Sequence, residues 1–143
     1  MNDIAIRKTV PAMSAEAIDT VSRMRAVSLT MPQIDNHIAD GIHGGMYHRT
    51  GHDPKGVTMT SVFVRVPTLL VACGEVDIFV GEGDVVRVRG YEVVESQANR
   101  QPAFHFLADT VMTMVFATQA KTTDEAEAEI TPEPHALQSR REA

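Results

Sequence analysis

The sequence predicts an all-β protein, a small jelly-roll barrel with an N-terminal helix and a short acidic C-terminal helix and tail. Three observations lead to this fold class. Runs rich in β-branched and aromatic residues recur between positions 57 and 116, at the spacing of about 8–12 residues that is typical of β-sandwiches and barrels. Turn residues separate these runs, and one apolar stripe of helical period precedes them.

The composition fits one domain with its own core. Of 143 residues, 43% are hydrophobic and 22% charged, which is typical of a globular protein. We expect an arm and a helix over residues 1–33, the β domain over residues 34–120, and a helix with an extended tail over residues 121–143. The net charge of −6 argues against nucleic acid as a partner. We expect no membrane contact either, because no apolar run is long enough to span a bilayer.

The N-terminal helix is predicted from its cap and its stripe. Ser14 is a favoured N-cap residue. Ala17, Val21 and Met24 then recur at three- and four-residue spacing within residues 15–26, which indicates one apolar face. Because this face is narrow, we expect the helix to dock on the barrel or on a partner.

Glycines mark the expected strand ends in the middle of the chain. We expect separate strands over residues 68–72 and 76–80, with Gly74 turning the chain between them. Gly90 is expected to end a strand in the same way. Cys73 closes an apolar run, so we expect a buried and unreactive thiol.

Two further local signals predict a hairpin and a helix. Gly81-Glu82-Gly83 is expected to form a tight turn between two strands. Thr122 and Glu125 match a capping box. The capping box predicts the short acidic C-terminal helix, which we expect to run to Ile130.

The turn motifs carry a resemblance to a known family. They are Pro54-Lys55-Gly56, Gly74-Glu75-Val76, Gly90-Tyr91-Glu92-Val93-Val94 and Asp109-Thr110. With them, residues 34–130 resemble cupin-like proteins of tailed phages and prophages. The resemblance implies a non-enzymatic virion structural protein, a capsid cement or decoration protein assembled in the host cytoplasm. Its implied partners are the major capsid protein or other shell subunits and a second copy in a homodimer, with dimer and arm contacts stabilising the shell.

The metal site of the cupin family is not matched on this chain. The positions of its first two histidines fall on Val62 and Val64, and the glutamate position falls near Thr68. A later histidine position falls on Gln101. Since valine offers no donor atom to a metal, the resemblance implies no metal, no cofactor and no catalytic residue.

Four histidines define the alternative function, a metal-independent cupin-type enzyme or small-molecule binding protein. It predicts a polar pocket at the barrel mouth where a histidine acts as general base. The candidates are His43, His48, His52 and His105. Surface or interface positions are favoured for the first three, because their spacings do not place them all on one strand face. A barrel interior filled with Val, Met and Phe would argue against this alternative.

Basic and methionine side chains are the candidates for an interface. Arginines on the predicted strands, with Arg100, are either ordinary solvated strand residues, which is the favoured interpretation, or one basic patch that faces an acidic partner. Two methionines near the N-terminal helix are adaptable contact residues. The candidate interface residues are Arg65, Arg87, Arg89, Met24 and Met31.

Overall fold

The computed structural model describes residues 8–81 and 83–137. The ends of the predicted arm and tail, and Glu82 in the predicted turn, lie outside the described residues. The helices are α1 (Ala15–Ser28) and α2 (Thr123–Ile130), followed by a 3₁₀ turn (Pro134–Ala136). The strands are β1 (Thr9–Val10), β2 (Ala39–His43), β3 (Met46–Asp53), β4 (Thr58–Thr60), β5 (Thr68–Gly81), β6 (Asp84–Ser96), β7 (Ala103–Phe106) and β8 (Thr110–Ala117). The all-β fold class with its two flanking helices is confirmed.

The strands form one sheet that winds around the core. Its order is β1-β6-β5-β8-β3-β2, while β7 joins β5 to β4. All pairs are antiparallel except β1 with β6. The long strand β5 has two successive partners on one side, because its residues 69–73 pair with β8 and its residues 76–79 pair with β7. This change of partner folds the sheet over on itself.

Gly74 lies at the change of partner and faces Gly90 across the β5–β6 ladder. Both have positive φ, 147° at Gly74 and 75° at Gly90, a conformation that only glycine adopts easily. A Cβ atom on Gly74 would lie 2.3 Å from Oγ1 of Thr110. The predicted strand ends at these two glycines are wrong, because glycine allows a sharp bend while the ladder continues through it.

Cys73 is exposed, so the predicted burial of its thiol is wrong. The apolar run that contains it alternates, with Leu70 and Ala72 buried and Leu69 exposed. Successive side chains of a strand point to opposite faces. One face of this segment therefore meets the core and the other meets solvent.

Both predicted helices and their caps are present. The Ser14 hydroxyl accepts a hydrogen bond from the Ala17 amide at 3.1 Å, and Ala17 and Val21 pack into the barrel core. At α2, Thr122 and Glu125 form the capping box. No helix in residues 8–81 and 83–137 is long and apolar enough to cross a membrane.

Candidate ligand-binding cavity

The cavity lies beside a segment that leaves the sheet early. The sequence alternates in part over residues 57–66, which predicts one strand, but only Thr58–Thr60 forms a strand, and Val64 makes an isolated bridge with Arg100. The prediction is wrong because polar and apolar residues continue to alternate in the sequence after Thr60, where the backbone stops pairing with β7. Behind this irregular segment the barrel holds a cavity of about 540 Å³, within the usual range of ligand pockets of about 300–1,000 Å³.

Most of the cavity wall is apolar. Side chains from β5, β7, β8 and the irregular segment contribute to it. They include Met59, Val62, Val64, Leu70, Phe104, Met112 and Met114. An apolar wall with few polar groups is typical of sites for small organic molecules.

The rim of the cavity is formed by the segment that follows α1. Leu29, Met31 and Ile34 line the cavity and are also 47%, 58% and 46% exposed. The Gln33 side chain holds this segment by donating from Nε2 to the carbonyl groups of Ser28 at 3.0 Å and Met31 at 2.8 Å. Apolar side chains that contact both solvent and the cavity mark its opening. Met31, a candidate interface residue, lies at this opening.

Polar side chains interrupt the apolar wall, among them Asn36, Asp53 and Ser61. Asn36 donates from Nδ2 to Oδ1 of Asp53 at 3.3 Å, and burial raises the pKa of Asp53. The Asn36 Oδ1 and Ser61 Oγ atoms are buried without a hydrogen-bond partner. Buried polar atoms are nearly always hydrogen-bonded, and a ligand would reach these two atoms only after neighbouring side chains of the wall move.

A buried ion pair supports another part of the wall. Arg49 lines the cavity, and its Nη1 lies 3.3 Å from Oε2 of Glu127 on α2. The Arg49 guanidinium also donates to the Tyr47 hydroxyl at 3.4 Å, and that hydroxyl donates to Asp40 at 2.9 Å. Burial raises the pKa of Tyr47. The network ties β2, β3 and α2 together.

Arg100 lies in the cavity wall together with Arg49 and Arg25, and it is only 5% exposed. Its Nη1 donates to the carbonyl groups of Val66 at 3.0 Å and Gln97 at 2.7 Å. Its Nη2 donates to Thr68 Oγ1 at 2.8 Å. Because Arg100 is buried, the expected surface patch does not include it.

The four candidate histidines lie outside the cavity wall. His43, His48, His52 and His105 are all exposed. His48 and His52 share the outer face of β3, and His105 Nδ1 lies 2.9 Å from Thr58 Oγ1. In the described part of the chain, no group of three His, Cys, Asp or Glu residues is arranged to hold a metal ion.

Of the remaining interface candidates, Arg87 and Arg89 are neighbours on one face of β6, while Arg65 and Met24 lie on other elements. Arg87 pairs with Asp77, with Nη2 2.6 Å from Oδ2, and lowers the pKa of that carboxyl. Arg89 pairs with Glu75 at 3.2 Å. Arg65 donates to main-chain carbonyl groups at the end of α2, and Met24 on α1 is 36% exposed. Their role in an interface stays a prediction.

Comparisons with known proteins identify the fold. No protein-family model matches the chain, and no curated protein matches its sequence. Solved structures do match: the Neisseria meningitidis protein NMB1881 has a TM-score of 0.52 and 9% identity, over 64% of this chain and 93% of that one. Ectoine synthase from P. lautus has a TM-score of 0.51 and 13% identity, over 68% and 75%. A cupin-2 domain protein from Shewanella frigidimarina has a TM-score of 0.47 and 5% identity, over 70% and 98%.

The fold is cupin-like. The cupin part of the sequence resemblance is therefore confirmed. Identities of 9% and 13% at TM-scores above 0.5 establish a shared fold and no shared activity. The phage origin, the capsid role and the homodimer stay predictions.

Three of the positions matched to cupin metal ligands, Val62, Val64 and Thr68, line the cavity, whereas Gln101 is not part of its wall. Two valines and a threonine make a wall that offers hydrocarbon and one hydroxyl. At three positions that match metal ligands, this cupin-like barrel therefore has two valines and a threonine beside an open space.

Sequence reasoning missed the polar residues of the cavity. Asn36, Asp53, Ser61 and Arg100 come from four separate parts of the chain, and no spacing motif links them. One local signal was present at Arg100, which precedes the apolar strand β7 directly after a turn-rich segment. The expected basic patch assigned that arginine to the surface.

Proposed function

We propose that this protein binds a small, largely apolar organic molecule inside its barrel. The observation that carries the proposal is the cavity of about 540 Å³ with two buried polar atoms that have no partner, on Asn36 and Ser61. A protein interior is normally packed with few voids larger than a water molecule. A space of this size is therefore an exceptional feature that a ligand would fill.

The alternative function derived from the sequence supplies half of this proposal. It expected a polar pocket at the barrel mouth with histidines in it, whereas the wall of the cavity is mostly apolar. The interior is lined by Val, Met and Phe without being filled by them, and the histidines are exposed. Binding is supported, while a histidine general base in the cavity has no support.

The test is direct binding of a neutral apolar fluorophore, N-phenyl-1-naphthylamine, to delipidated protein. We expect one molecule per chain, with the fluorescence increase that an apolar site produces. Val62→Phe places a larger side chain in the cavity and should weaken the probe's affinity at least about tenfold. Val93→Phe is the matched control, because Val93 is 49% exposed and lies outside the cavity wall.

The two variants separate the outcomes. Equal probe affinity in V62F and V93F would place the probe elsewhere and overturn the proposal, as would the absence of probe binding to the wild type. Circular dichroism shows whether V62F is folded. If it is not, Met59→Phe fills the same cavity from β4 and is measured in its place.

A structural role in a virion is the second candidate function, and the outer face of the sheet supports it. We define the outer apolar face as the exposed side chains where β6, β5 and β8 lie side by side: Leu69, Cys73, Tyr91, Val93 and Val111. Tyr91 is 71% exposed. A contiguous apolar patch of this kind marks interaction surfaces, and depletion of charge at its centre is typical of protein interfaces.

We propose that a second copy of the chain packs on the outer apolar face and makes the expected homodimer. Tyr91→Glu should then convert a dimer to a monomer in sedimentation analysis, whereas Val85→Glu, at a 53% exposed position outside this face, should not. A wild-type protein that sediments as a monomer at 100 µM would exclude this dimer. Copurification with the major capsid protein at a near-stoichiometric ratio tests the virion role itself.

A further inference from the structure

Arg100 is a buried cation whose partners in the protein are all neutral. Its three hydrogen bonds go to two main-chain carbonyl groups and to the Thr68 hydroxyl. Among residues 8–81 and 83–137, no carboxylate pairs with it. Burial lowers the pKa of Arg100 to about 10, so the guanidinium is still charged at neutral pH.

The other two arginines of the cavity show what is missing at Arg100. Arg49 has the carboxylate of Glu127 at 3.3 Å, and Arg25 has that of Glu133 at 4.0 Å. Arginines that are almost fully buried are nearly always paired with an anion, because an unpaired buried charge is costly. All three side chains line one cavity, and Arg100 is the one that has no carboxylate partner among the described residues.

The N–H donors of Arg100 that have no partner indicate which kind of ligand group would bind there. A guanidinium has five N–H donors, and three of them are used at Nη1 and Nη2. The N–H of Nε and one N–H of Nη2 are left without a partner. Two neighbouring guanidinium nitrogens match the two oxygen atoms of a carboxylate, which arginine binds in a bidentate manner.

We propose that the ligand is an organic monocarboxylate, whose carboxylate pairs with Arg100 and whose hydrocarbon part occupies the apolar cavity. This inference rests on the proposed binding function. One unpaired guanidinium neutralises one negative charge. A phosphate ester with two charges would lack a second unpaired cation, since Arg49 and Arg25 are already paired with Glu127 and Glu133. The wall of Met59, Phe104, Met112 and Met114 suits a flexible apolar chain.

The remaining polar groups of the cavity limit where the carboxylate can lie. Asp53 and Asn36 line the cavity as well, and a second carboxylate beside Asp53 would be repelled. The carboxylate therefore belongs at Arg100, and the hydrocarbon part of the ligand lies along the apolar wall away from it.

The experiment compares decanoate with 1-decanol, which share a chain length and differ in the charged group. Both are titrated against the bound N-phenyl-1-naphthylamine at pH 7.5 in delipidated protein. We expect decanoate to displace the probe at a concentration at least about tenfold lower, the range of a charge-assisted hydrogen bond in a buried site. In Arg100→Met this preference should vanish while displacement by decanol remains. Arg87→Met, at a surface arginine, should keep the preference.

Each result has one interpretation. Equal displacement by decanoate and decanol in the wild type overturns the carboxylate inference and leaves the binding function standing. Failure of the probe and of both compounds to bind overturns the binding function. Replacing an unpaired buried charge by an apolar side chain is often tolerated. If R100M nevertheless does not fold, the wild-type comparison decides, and Arg100→Lys should give an intermediate preference.

Discussion

The barrel has one end that is tightly packed and one that is hollow. The packed end surrounds Gly74, where a single added carbon would lie 2.3 Å from Thr110 Oγ1. The hollow end lies beside residues 57–66, where β4 has only three residues and a cavity of about 540 Å³ remains. Both ends belong to one sheet, so the difference arises from side chains and local backbone rather than from topology.

The difference shows how a cupin-like barrel can keep an interior space. At the packed end, Thr110 Oγ1 accepts a hydrogen bond from the Glu75 amide at 3.1 Å, and β5 continues through its change of partner. At the hollow end, the wall depends on α2, on the segment after α1 and on buried polar contacts. At one end the strands continue through a close backbone contact, while at the other end helices and loops complete a wall that the strands begin.

The largest expected effect comes from adding a side-chain carbon at Gly74. Gly74→Ala forces a Cβ atom against Thr110, including its main-chain Cα at 2.7 Å, so the strand itself has to move. We expect a loss of at least about 3 kcal/mol in the free energy of unfolding, measured by urea denaturation. Gly90→Ala is the control, because nothing lies within 4 Å of its added carbon and only its φ of 75° opposes the change, at about 1 kcal/mol.

Equal losses in the two glycine variants would contradict this account. They would mean that backbone conformation alone limits both positions, and that the packed end has room to adjust. If G74A were as stable as G90A, the backbone around Gly74 and Thr110 would be able to shift and accommodate the added carbon.

Variants of the Arg49–Glu127 ion pair test whether paired charges stabilise the wall of the hollow end. Glu127→Leu leaves the Arg49 guanidinium buried without its carboxylate, since the two side chains are 12% and 4% exposed. We expect a loss of about 3 kcal/mol in the free energy of unfolding. The double variant Arg49→Met with Glu127→Leu removes both charges and should recover more than half of that loss. A double variant as unstable as E127L would show that packing of Glu127, rather than its charge, supports the wall.

Sequence reasoning succeeded where one local pattern determines the structure. The caps at Ser14 and Thr122 are present as expected, because capping depends on residues three positions apart. The all-β class followed from short alternating runs, and the cupin resemblance from the turns between them. These features need no knowledge of which strands meet.

Sequence reasoning failed where the structure depends on distant neighbours. Gly74 bends a continuous strand instead of ending it, and this depends on Thr110 approaching from β8. Cys73 is exposed because β5 presents its outer face to solvent there. Nothing in the local sequence distinguishes Arg100 from a surface arginine. Only the fold shows that it lies in the cavity wall. In each case a residue far along the chain determines the environment.

A smaller effect is expected at the cap of α2, which helps to enclose the hollow end. The Thr122 hydroxyl accepts a hydrogen bond from the Glu125 amide at 3.2 Å. Thr122→Ala removes that acceptor and should lower the free energy of unfolding by about 1 kcal/mol. Thr123→Ala is the same change one residue later, inside the helix, and should cost less. If both cost the same, the cap contributes little, and α2 is held by its buried Ile130 instead.

The smallest expected effect, and the one that reports on the hollow interior directly, is a pH dependence at Asp53. Burial raises the pKa of this carboxyl in the folded protein above its ordinary value of 3.8, so the folded state holds the proton more tightly than the unfolded state. The contribution of Asp53 to stability is therefore most favourable below pH 3.8 and declines as the pH rises through the folded-state pKa.

Asp53→Asn removes this dependence while keeping an oxygen that accepts from Asn36. We expect D53N to be more stable than the wild type at pH 7 and to lose that advantage as the pH falls toward 4, in urea denaturation at each pH. Asp84→Asn removes an exposed carboxylate and should give no such gain at pH 7. A D53N variant that is less stable than the wild type at pH 7 would mean that the Asp53 charge is stabilised in the cavity. That result would favour a ligand with a positive group beside Asp53, in addition to the carboxylate at Arg100.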